Sequence, residues 1–362
     1  MYYIRIPCQE LSRFCEDIFE KCGFTSEEAE EIVDVLMCAD LYGIESHGVQ
    51  RLIRYYDAIT EGSIDPKATA CLVHETPISW VYDAQRTMGQ LVARRGMKEA
   101  IDMAKAHGIG AVCVRGSNHY GIAGYYTLMA AQEDLMGLCM TNTEAIAIPT
   151  YGRKAMLGTS PIALCMPADP TPFWYDAATT VVTRGKLEVC NKNGSPLPLG
   201  WAADENGNPC SQAQKVLENI IGKKGGGIFP LGGSEEMSGS HKGYGLGIIV
   251  ELFTSIFAGG TTSPHVRNSG NADTSFCFWA VDYGIFGDKA EIRRRMSTLL
   301  QELRDSPKAE GHDRIYTHGE KEAESNARIQ AEGVPVNVKT LSEMRLIASK
   351  VCVDGSIYEH IG

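Results

Sequence analysis

The first segment with residues suited to catalysis is 43–51, GIESHGVQR, in which a histidine precedes an arginine by four residues. A helix beginning near Ser46 would place His47, Arg51 and Tyr55 on one face. Arginine can bind a substrate carboxylate through two parallel hydrogen bonds, while a neighbouring histidine exchanges a proton with a nearby oxygen. Ser46 and the free backbone N–H groups of such a helix start would also favour an anion. The alternative is an ordinary helix start with a capping serine and solvated polar side chains.

A second polar segment follows an apolar run at 111–114 that is typical of a strand. Residues 115–124, RGSNHYGIAG, place Asn118 and His119 between glycines. Ligand contacts are often made by polar residues at the carboxyl end of a strand. His119 is suited to act as a base and Asn118 as an orienting hydrogen-bond donor. The alternative is a structured turn with a hydrogen-bonded histidine.

A third segment is rich in glycine and leads into a predicted helix. It comprises residues 222–233 and the sequence SGSHKGYG at 238–245. Backbone N–H groups, the ammonium of Lys242 and a helix N-terminus together would bind a phosphate or a diphosphate. A mobile surface loop with a close helix–helix contact at the glycines would explain the same residues.

Several common motifs are absent from the sequence. It contains no GxxxxGK[ST] phosphate loop, no GxSxG and no HExxH. The glycines at 108–110 precede a strand, and GYGLG at 243–247 lies within an apolar helix pattern. Neither context is that of a Rossmann dinucleotide turn. The sequence therefore does not support a P-loop nucleotidase, a common serine hydrolase or a conventional Rossmann site.

Hydrophobic spacing predicts the elements that must position these segments. Residues 1–75 are predicted to be helical, with a capping box from Thr25 to Glu28 and a third helix over about 46–60. Predicted strands cover 78–82, 111–114, 138–141, 163–166 and 276–281, and further helices cover 88–107, 241–258, 285–305 and 340–350. Residues 193–233 are predicted to be long loops, and 306–326 a polar, charged loop. The pattern predicts a mixed α/β protein with a central sheet.

Composition narrows the class of protein. The 362 residues include 34 Lys and Arg against 45 Asp and Glu, a net charge of −11. This balance argues against nucleic acid or an anionic membrane as the main partner, since both need a basic surface. No apolar run reaches the length of a membrane span and no signal peptide is evident, so a cytoplasmic location is expected. The 12 cysteines form no CxxC pair and no zinc spacing, so no metal site is expected.

Taken together, these segments resemble the malate/L-lactate dehydrogenase family, sometimes called type 2. The similarity is carried in order by SHGVQRL at 46–52, GSNHYGIAGYY at 116–126, TNTEAIAIPTYGRKAMLGTSPIAL at 141–164, PLPLGWAADENGNP at 196–209 and HKGYGLGIIVELFTSIFAG at 241–259. Tyr120 replaces the usual phenylalanine of SNHFG but leaves the polar residues in place.

The resemblance implies hydride transfer between a nicotinamide cofactor and a small 2-hydroxy acid, with malate and oxaloacetate the favoured pair. NAD is slightly favoured over NADP. It also implies a non-Rossmann NAD(P)-binding domain with a mixed sheet at 76–320, a smaller helical domain formed by 1–75 with 321–362, and a homodimer that completes each active site.

The resemblance further implies roles for individual residues. His47 and His119 line the substrate pocket, and either is a candidate for the proton acceptor. Substrate-binding candidates are Ser46, Arg51, Tyr55 and Thr143, and Asp176 is a candidate to stabilise an imidazolium. Cofactor-binding candidates are Asn118, Glu144, Ala177, Ala178, Phe229, Pro230, Leu231, Lys242, His318, Gly319 and Glu320.

Two alternatives stay open at the level of sequence. The same chemistry on lactate, ureidoglycolate, sulfolactate, diketogulonate or a cyclic imino acid would use the same motifs. A non-catalytic ligand-binding or scaffold protein is a different class, against which the presence of His47, Arg51 and His119 together argues.

Overall fold

The computed structural model describes residues 3–267 and 272–353. The strands in this part of the chain are β1 (Tyr3–Ile6), β2 (Cys71–Thr76), β3 (Ser79–Asp83), β4 (Ile109–Ser117), β5 (Met136–Thr141), β6 (Ile162–Met166), β7 (Phe173–Ala177), β8 (Ala202–Ala203), β9 (Gly227–Ile228), β10 (Thr274–Val281) and β11 (Val334–Asn337). The α-helices are α1 (Cys8–Lys21), α2 (Ser26–Leu41), α3 (Leu52–Thr60), α4 (Gly89–His107), α5 (Ala123–Gln132), α6 (Arg184–Lys192), α7 (Ala213–Ile221), α8 (Ser240–Glu251), α9 (Lys289–Asp305), α10 (Glu320–Glu332) and α11 (Val338–Val351).

A seven-stranded mixed sheet forms the centre, in the order β2-β3-β4-β10-β5-β6-β7. Only β3 and β4 pair in parallel among these strands; the other five pairings are antiparallel. Parallel neighbours need a crossover connection, and α4 supplies it. The expectation of a mixed α/β protein with a central sheet is confirmed.

The helices α4 and α5 pack on this sheet and fix the end of β4. Their apolar residues join Tyr120, Phe276 and Phe278 in one buried core. Gly96 lets α4 approach the sheet so closely that an added Cβ would lie 3.0 Å from the Phe278 ring. This close packing fixes the turn between β4 and α5, which carries Asn118 and His119.

A second core holds α1, α2 and α3 against the C-terminal elements α10 and α11. The strands β1 and β11 pair antiparallel and join the two ends of the described chain, with Tyr3 opposite Asn337. The predicted capping box is present: the Thr25 side chain accepts from the Glu28 backbone N–H, and the Glu28 carboxylate accepts from the Thr25 N–H. α3 therefore rests on a scaffold built from both ends of the chain.

A third, smaller core lies between residues 146 and 228 and includes α6, α7 and strands β8 and β9. The prediction of long loops over 193–233 is therefore wrong in part. In α7, the apolar positions Val216, Leu217 and Ile220 are buried at helical spacing. The glycines and prolines on both sides masked this short repeat, because they dominate the composition of the segment.

The predicted helix over 46–60 is wrong at its start. Two 3₁₀ turns, Glu45–His47 and Val49–Arg51, precede α3, and Gly48 between them has an extended backbone. An added Cβ on Gly48 would collide with the carboxylate of Asp40, which accepts a hydrogen bond from the Val49 N–H. This anchor from α2 replaces helical hydrogen bonding, so the predicted single helical face through His47, Arg51 and Tyr55 does not form.

Several further elements differ from the predictions. The charged loop predicted over 306–326 ends earlier, because α10 begins at Glu320. The strands at 3–6, 71–76, 173–177 and 334–337 were not predicted, so residues 1–75 are helical only in part. The apolar helix predicted over 241–258 is present as α8, followed by a π-helical turn at Leu252–Ile256. The last part of the predicted helical domain, residues 354–362, lies outside the described residues.

Candidate active site

The two histidines found in the sequence meet in space although 72 positions separate them in the chain (119 minus 47). Their rings stack with centroids 5.4 Å apart and an angle of 23° between planes. The Tyr55 hydroxyl lies 2.6 Å from Nδ1 of His119. The structure thus brings together three predicted pocket residues from two distant segments, by tertiary packing rather than by a shared helix.

Each imidazole is held through the same ring nitrogen. Nδ1 of His47 lies 2.8 Å from the Ser46 Oγ, and Nδ1 of His119 is engaged by the Tyr55 hydroxyl. Which partner donates in each pair depends on the tautomer of the ring. Among residues 3–267 and 272–353, neither ring has a hydrogen-bond partner at Nε2, which is the nitrogen that proton exchange with a ligand would use. Ser46 therefore orients His47.

Arg51 is placed by the 3₁₀ turns. Its Nε donates to the backbone oxygen of Ser46 at 2.6 Å, which ties the guanidinium to the histidine-bearing turn. The described residues give Arg51 no carboxylate partner. Its terminal nitrogens are therefore available to bind an anion with two hydrogen bonds.

Asp40 holds this turn from the core of the helical region. Its carboxylate accepts from the Val49 N–H at 2.8 Å and is almost fully buried. Burial raises the pKa of Asp40 to about 8, against the opposing effect of the Val49 hydrogen bond. The sequence analysis did not single out Asp40, since its role depends on a contact nine positions along the chain.

The turn that carries His119 is fixed on several sides. Asn118 donates from Nδ2 to the backbone oxygen of Ser63 at 2.9 Å, which links the turn to the chain after α3. Tyr120 stacks on Phe276 with centroids 4.2 Å apart. The phenol of Tyr120 is thus accommodated in the core, and the replacement of phenylalanine leaves His119 in place.

A cleft of about 370 Å³ opens beside His119. Arg54, Tyr55, Asn118 and His119 line it, and the exposed residues Asp57, Glu61 and Arg267 are also among the residues around it. A cavity of this size suits a small organic acid. Arg54 was missed in the sequence analysis, although its position three residues after Arg51 was a usable signal.

Burial and neighbouring positive charges act on both pocket histidines. Burial, followed by the charges of Arg51 and Arg54, lowers the pKa of His47 to about 4. Burial also lowers the pKa of His119 well below its usual value of 6.5, and the charge of Arg54 is the next cause. Both imidazoles are therefore neutral at pH 7 in the free protein, and both sit beside guanidinium groups.

Thr143 and Glu144 follow strand β5 and have partners of their own in the structure. Thr143 Oγ1 accepts from the Thr159 N–H at 3.1 Å, and the Glu144 carboxylate lies 3.6 Å from the Lys223 ammonium. Glu144 also raises the pKa of Arg54, opposing the burial that lowers it. Its charge therefore reaches the arginine pocket.

Asp176 is engaged at the start of α5. Its Oδ2 accepts from the backbone N–H of Gly124 at 2.7 Å, in the first turn of α5. Burial raises the pKa of Asp176 to about 6, with the Gly124 hydrogen bond opposing and Glu322 adding to the effect. None of the hydrogen bonds in the described residues joins Asp176 to His47 or His119, so the structure shows it anchoring α5 to β7.

Most of the predicted cofactor contacts gather along β7, the edge strand of the large sheet. At one end the Trp174 N–H donates to the His318 oxygen at 3.1 Å, and the His318 ring packs edge-on against Phe173 and Tyr175. Beyond the other end, the Leu231 N–H donates to the Thr179 oxygen at 2.9 Å. The predicted residues Ala177, Ala178, Phe229, Pro230, Gly319 and Glu320 belong to these same stretches of chain.

The start of α8 completes this region. Gly243 packs so closely on the backbone of Leu231 that any Cβ would collide, and Lys242 is exposed in the first turn of the helix. A helix N-terminus and an ammonium group are the donors that a diphosphate requires. The residues present therefore fit a dinucleotide cofactor.

In residues 3–267 and 272–353, no group of three or more His, Cys, Asp or Glu side chains could hold a metal ion. None of the helices in the same residues is both long and apolar enough to cross a membrane.

The chain belongs to the malate/L-lactate dehydrogenase family, whose sequence model matches residues 6–345. The resemblance read from the motifs is confirmed. The protein is thus an oxidoreductase of a dehydrogenase family, and membership implies a nicotinamide cofactor.

Named relatives cover nearly the whole chain. A malate dehydrogenase of Pyrococcus abyssi is 42% identical over 98% of this chain and 96% of its own length. An L-sulfolactate dehydrogenase of Methanocaldococcus jannaschii is 33% identical over 92% of this chain and 94% of its own. The crystal structure of malate dehydrogenase from Entamoeba histolytica superposes with a TM-score of 0.94 at 35% identity, covering 98% of this chain and 99% of that one.

Proposed function

We propose that this protein is a malate dehydrogenase that interconverts malate and oxaloacetate with a nicotinamide cofactor, NAD being favoured over NADP. The observation that carries the proposal is the His119–Tyr55 pair, which lines the cleft beside Arg54 and close to Arg51. The malate dehydrogenases among the relatives support malate as the substrate.

In the proposed reaction Arg51 binds the C1 carboxylate through its terminal nitrogens. In the tautomer that the reaction requires, Nδ1–H of neutral His119 donates to the Tyr55 oxygen 2.6 Å away, and Nε2 accepts the proton of the C2 hydroxyl. The bound nicotinamide supplies the acceptor for the hydride that leaves C2, so the alcohol becomes a ketone and one proton remains on the protein. The negative charge of the acid offsets the arginines and stabilises the imidazolium that forms.

Of the two histidines, we assign the proton acceptor to His119. His119 lines the cleft and is oriented by a buried tyrosine, whereas His47 is oriented by Ser46 and stacks on His119. His47 is then placed to donate or accept a hydrogen bond at the same substrate. Thr143 is proposed as a further substrate contact, and Asp176 supports the region by anchoring α5 to β7.

The cofactor is proposed to lie along the edge strand β7, with its diphosphate at the start of α8. Asn118, Glu144, Ala177, Ala178, Phe229, Pro230, Leu231, Lys242, His318, Gly319 and Glu320 are the proposed contacts. The mainly antiparallel sheet supports a binding domain of non-Rossmann type over 76–320. The core shared by both ends of the chain supports a second domain formed by 1–75 with 321–362.

A homodimer is also proposed, supported by an exposed apolar face on α8 and the turn after it. This α8 face consists of Leu246, Ile249, Leu252, Ile256 and Phe257. Large contiguous apolar surfaces of this kind usually mark interfaces. Sedimentation of the purified chain is expected to give twice the monomer mass.

The proposal is tested by following absorbance at the nicotinamide band. Oxaloacetate is offered with NADH and with NADPH in separate cuvettes, alongside pyruvate, glyoxylate and a cyclic imino acid. Rapid loss of absorbance is expected with oxaloacetate, fastest with NADH. Loss of absorbance only with another acid would change the assigned substrate and keep the assigned chemistry. Unchanged absorbance with every acid would favour the non-catalytic alternative.

Substitution of the histidines separates their roles. His119→Asn is expected to lower kcat by about 10²–10⁴-fold, the usual contribution of general acid–base catalysis. His47→Asn is expected to act more on KM than on kcat. The reverse pattern would move the proton acceptor to His47.

A further inference from the structure

Arg54 carries a guanidinium group for which the described part of the chain supplies no ion pair. It lies in α3 and lines the cleft together with Tyr55, Asn118 and His119. Among the described residues, no hydrogen bond and no ion pair with its guanidinium is found. An arginine removed from water without a carboxylate partner costs free energy, so its retention calls for a ligand that supplies negative charge.

The charges around Arg54 increase this need. Burial lowers the pKa of Arg54, and the positive charges of Arg51 and Arg184 lower it further. Tyr55 and Glu144 raise it, but the Glu144 carboxylate also lies 3.6 Å from the ammonium of Lys223. The partly buried Arg54 therefore lies beside further positive charge, whereas the carboxylates around the cleft, Asp57 and Glu61, are exposed to water.

Arg51 and Arg54 lie on either side of the start of α3. Arg51 closes the second 3₁₀ turn and is tied to the Ser46 oxygen, whereas Arg54 is the third residue of α3 and points to the cleft that His119 also lines. Two guanidinium groups placed in this way can bind two separate anionic groups of one small molecule. Both arginines act on the acid–base histidine, since the charges of Arg54 and Arg51 each lower the pKa of His119.

We propose that Arg54 binds a second anionic group of the substrate and so selects 2-hydroxy and 2-oxo acids that carry two negative charges over monocarboxylates. This inference rests on the proposed exchange of hydride with a 2-hydroxy acid. The second group is a carboxylate or a sulfonate, because either accepts hydrogen bonds from a guanidinium.

The test compares wild type with Arg54→Gln at saturating cofactor, using oxaloacetate, 3-sulfopyruvate and pyruvate. Arg54→Gln is expected to lower kcat/KM for the preferred dianion by about 100-fold, the order of magnitude for loss of a charged hydrogen-bonding group. The value for pyruvate is expected to stay within about threefold, since a monocarboxylate makes no such contact. The dianion that loses more identifies the second group as carboxylate or sulfonate.

Two further variants control for charge and for folding. Arg328→Gln removes the same charge from the exposed face of α10 and is expected to leave all three values unchanged. Arg54→Lys keeps the charge and is expected to restore part of the preference for dianions. The melting temperature of Arg54→Gln is expected to equal or exceed that of wild type, because the free protein loses an unpaired guanidinium.

Equal losses for dianions and pyruvate, a loss confined to cofactor affinity, or no loss at all would overturn the role of Arg54. If wild type reduces none of the three acids, the proposed function fails first. Calorimetric binding of malate and lactate then tests Arg54 by itself. A preference for malate that Arg54→Gln abolishes supports the proposal, and equal affinities in wild type overturn it.

Discussion

Arginines in two regions of this molecule have opposite surroundings. On α9, Arg293 donates two hydrogen bonds to Asp169, at 3.1 and 2.7 Å, and Arg294 donates two to Glu291, at 2.8 and 2.7 Å. These carboxylates raise the pKa of both guanidinium groups. In the pocket, burial and neighbouring cations lower the pKa of Arg54 instead.

The difference shows how the fold separates structural from functional charge. A solvated arginine with a carboxylate partner is satisfied within the chain and adds little to stability. A partly buried arginine without such a partner leaves part of its binding capacity for a ligand, at a cost in stability that binding repays. Pairing within the chain, rather than residue type, distinguishes the two regions.

The largest expected effect follows from removing a pocket arginine. Arg51→Leu is expected to lower kcat/KM for malate by about 10²–10⁴-fold, because two charged hydrogen bonds contribute about 3–6 kcal/mol and each 1.4 kcal/mol is a factor of ten. Cofactor affinity, measured by quenching of protein fluorescence, is expected to stay unchanged. The matched change Arg293→Leu on α9 is expected to leave kcat/KM within twofold, and equal losses in the two variants would remove the distinction between the regions.

The pH dependence of malate oxidation provides the next test. Burial and the charge of Arg54 hold the pKa of His119 below 6.5, so the acidic limb of kcat/KM is expected below that pH in wild type. Removing a positive charge favours the imidazolium, so Arg54→Gln is expected to move the limb upward toward 6.5. Arg328→Gln serves as the control, and a limb that stays in place in Arg54→Gln would contradict the assignment of His119 as proton acceptor.

In the pocket, the sequence predicted the residues correctly but not the backbone that positions them. His47, His119 and Tyr55 were identified from spacing and motif, and the structure brings them together. The predicted reason, one continuous helix, was wrong because Asp40 and Gly48 impose an extended link at that point. Contacts between residues of α2 and the following turn are tertiary, and helical periodicity carries no information about them.

The fold likewise contains elements that the sequence predicted and elements that it did not. Strands and helices with strong hydrophobic repeats, such as β4, β5, β10 and α4, were predicted close to their observed bounds. The strands β1 and β11 were missed because each has only four residues and becomes a strand by pairing with the other end of the chain. The short helix α7 was missed because its repeat is set among glycines and prolines.

The carboxylates of the two regions differ as well, as Asp40 beside the pocket and Glu291 on α9 show. Among the described residues Asp40 has no cationic partner, and its pKa is raised to about 8, whereas Arg294 lowers the pKa of its partner Glu291. The folded protein therefore keeps a proton on Asp40 that the unfolded chain releases near pH 4, so the stability contributed by this proton is lost as pH rises from about 4 to 8.

Asp40→Asn is expected to remove this dependence, since the amide oxygen can still accept from the Val49 N–H. The melting temperature of the variant relative to wild type is expected to rise by a few degrees between pH 5 and pH 8. Thermal unfolding followed by circular dichroism at both pH values gives the comparison. A difference that is independent of pH would show that Asp40 is already ionised in the fold.

The smallest effect is expected on the α9 side. Arg293→Leu breaks the ion pair with Asp169 and is expected to lower the free energy of unfolding by about 0.2–1 kcal/mol, the range for exposed pairs. Because water solvates both charges, high salt is expected to reduce the difference from wild type further. Urea unfolding at low and high salt measures this difference in free energy.

In the pocket, Arg54→Leu is expected to change stability in the opposite direction, because there the cation lacks an ion-pair partner among the described residues. A loss of stability in Arg54→Leu as large as that in Arg293→Leu would mean that the fold itself satisfies Arg54, and the contrast between the two regions would then rest on Arg51 alone.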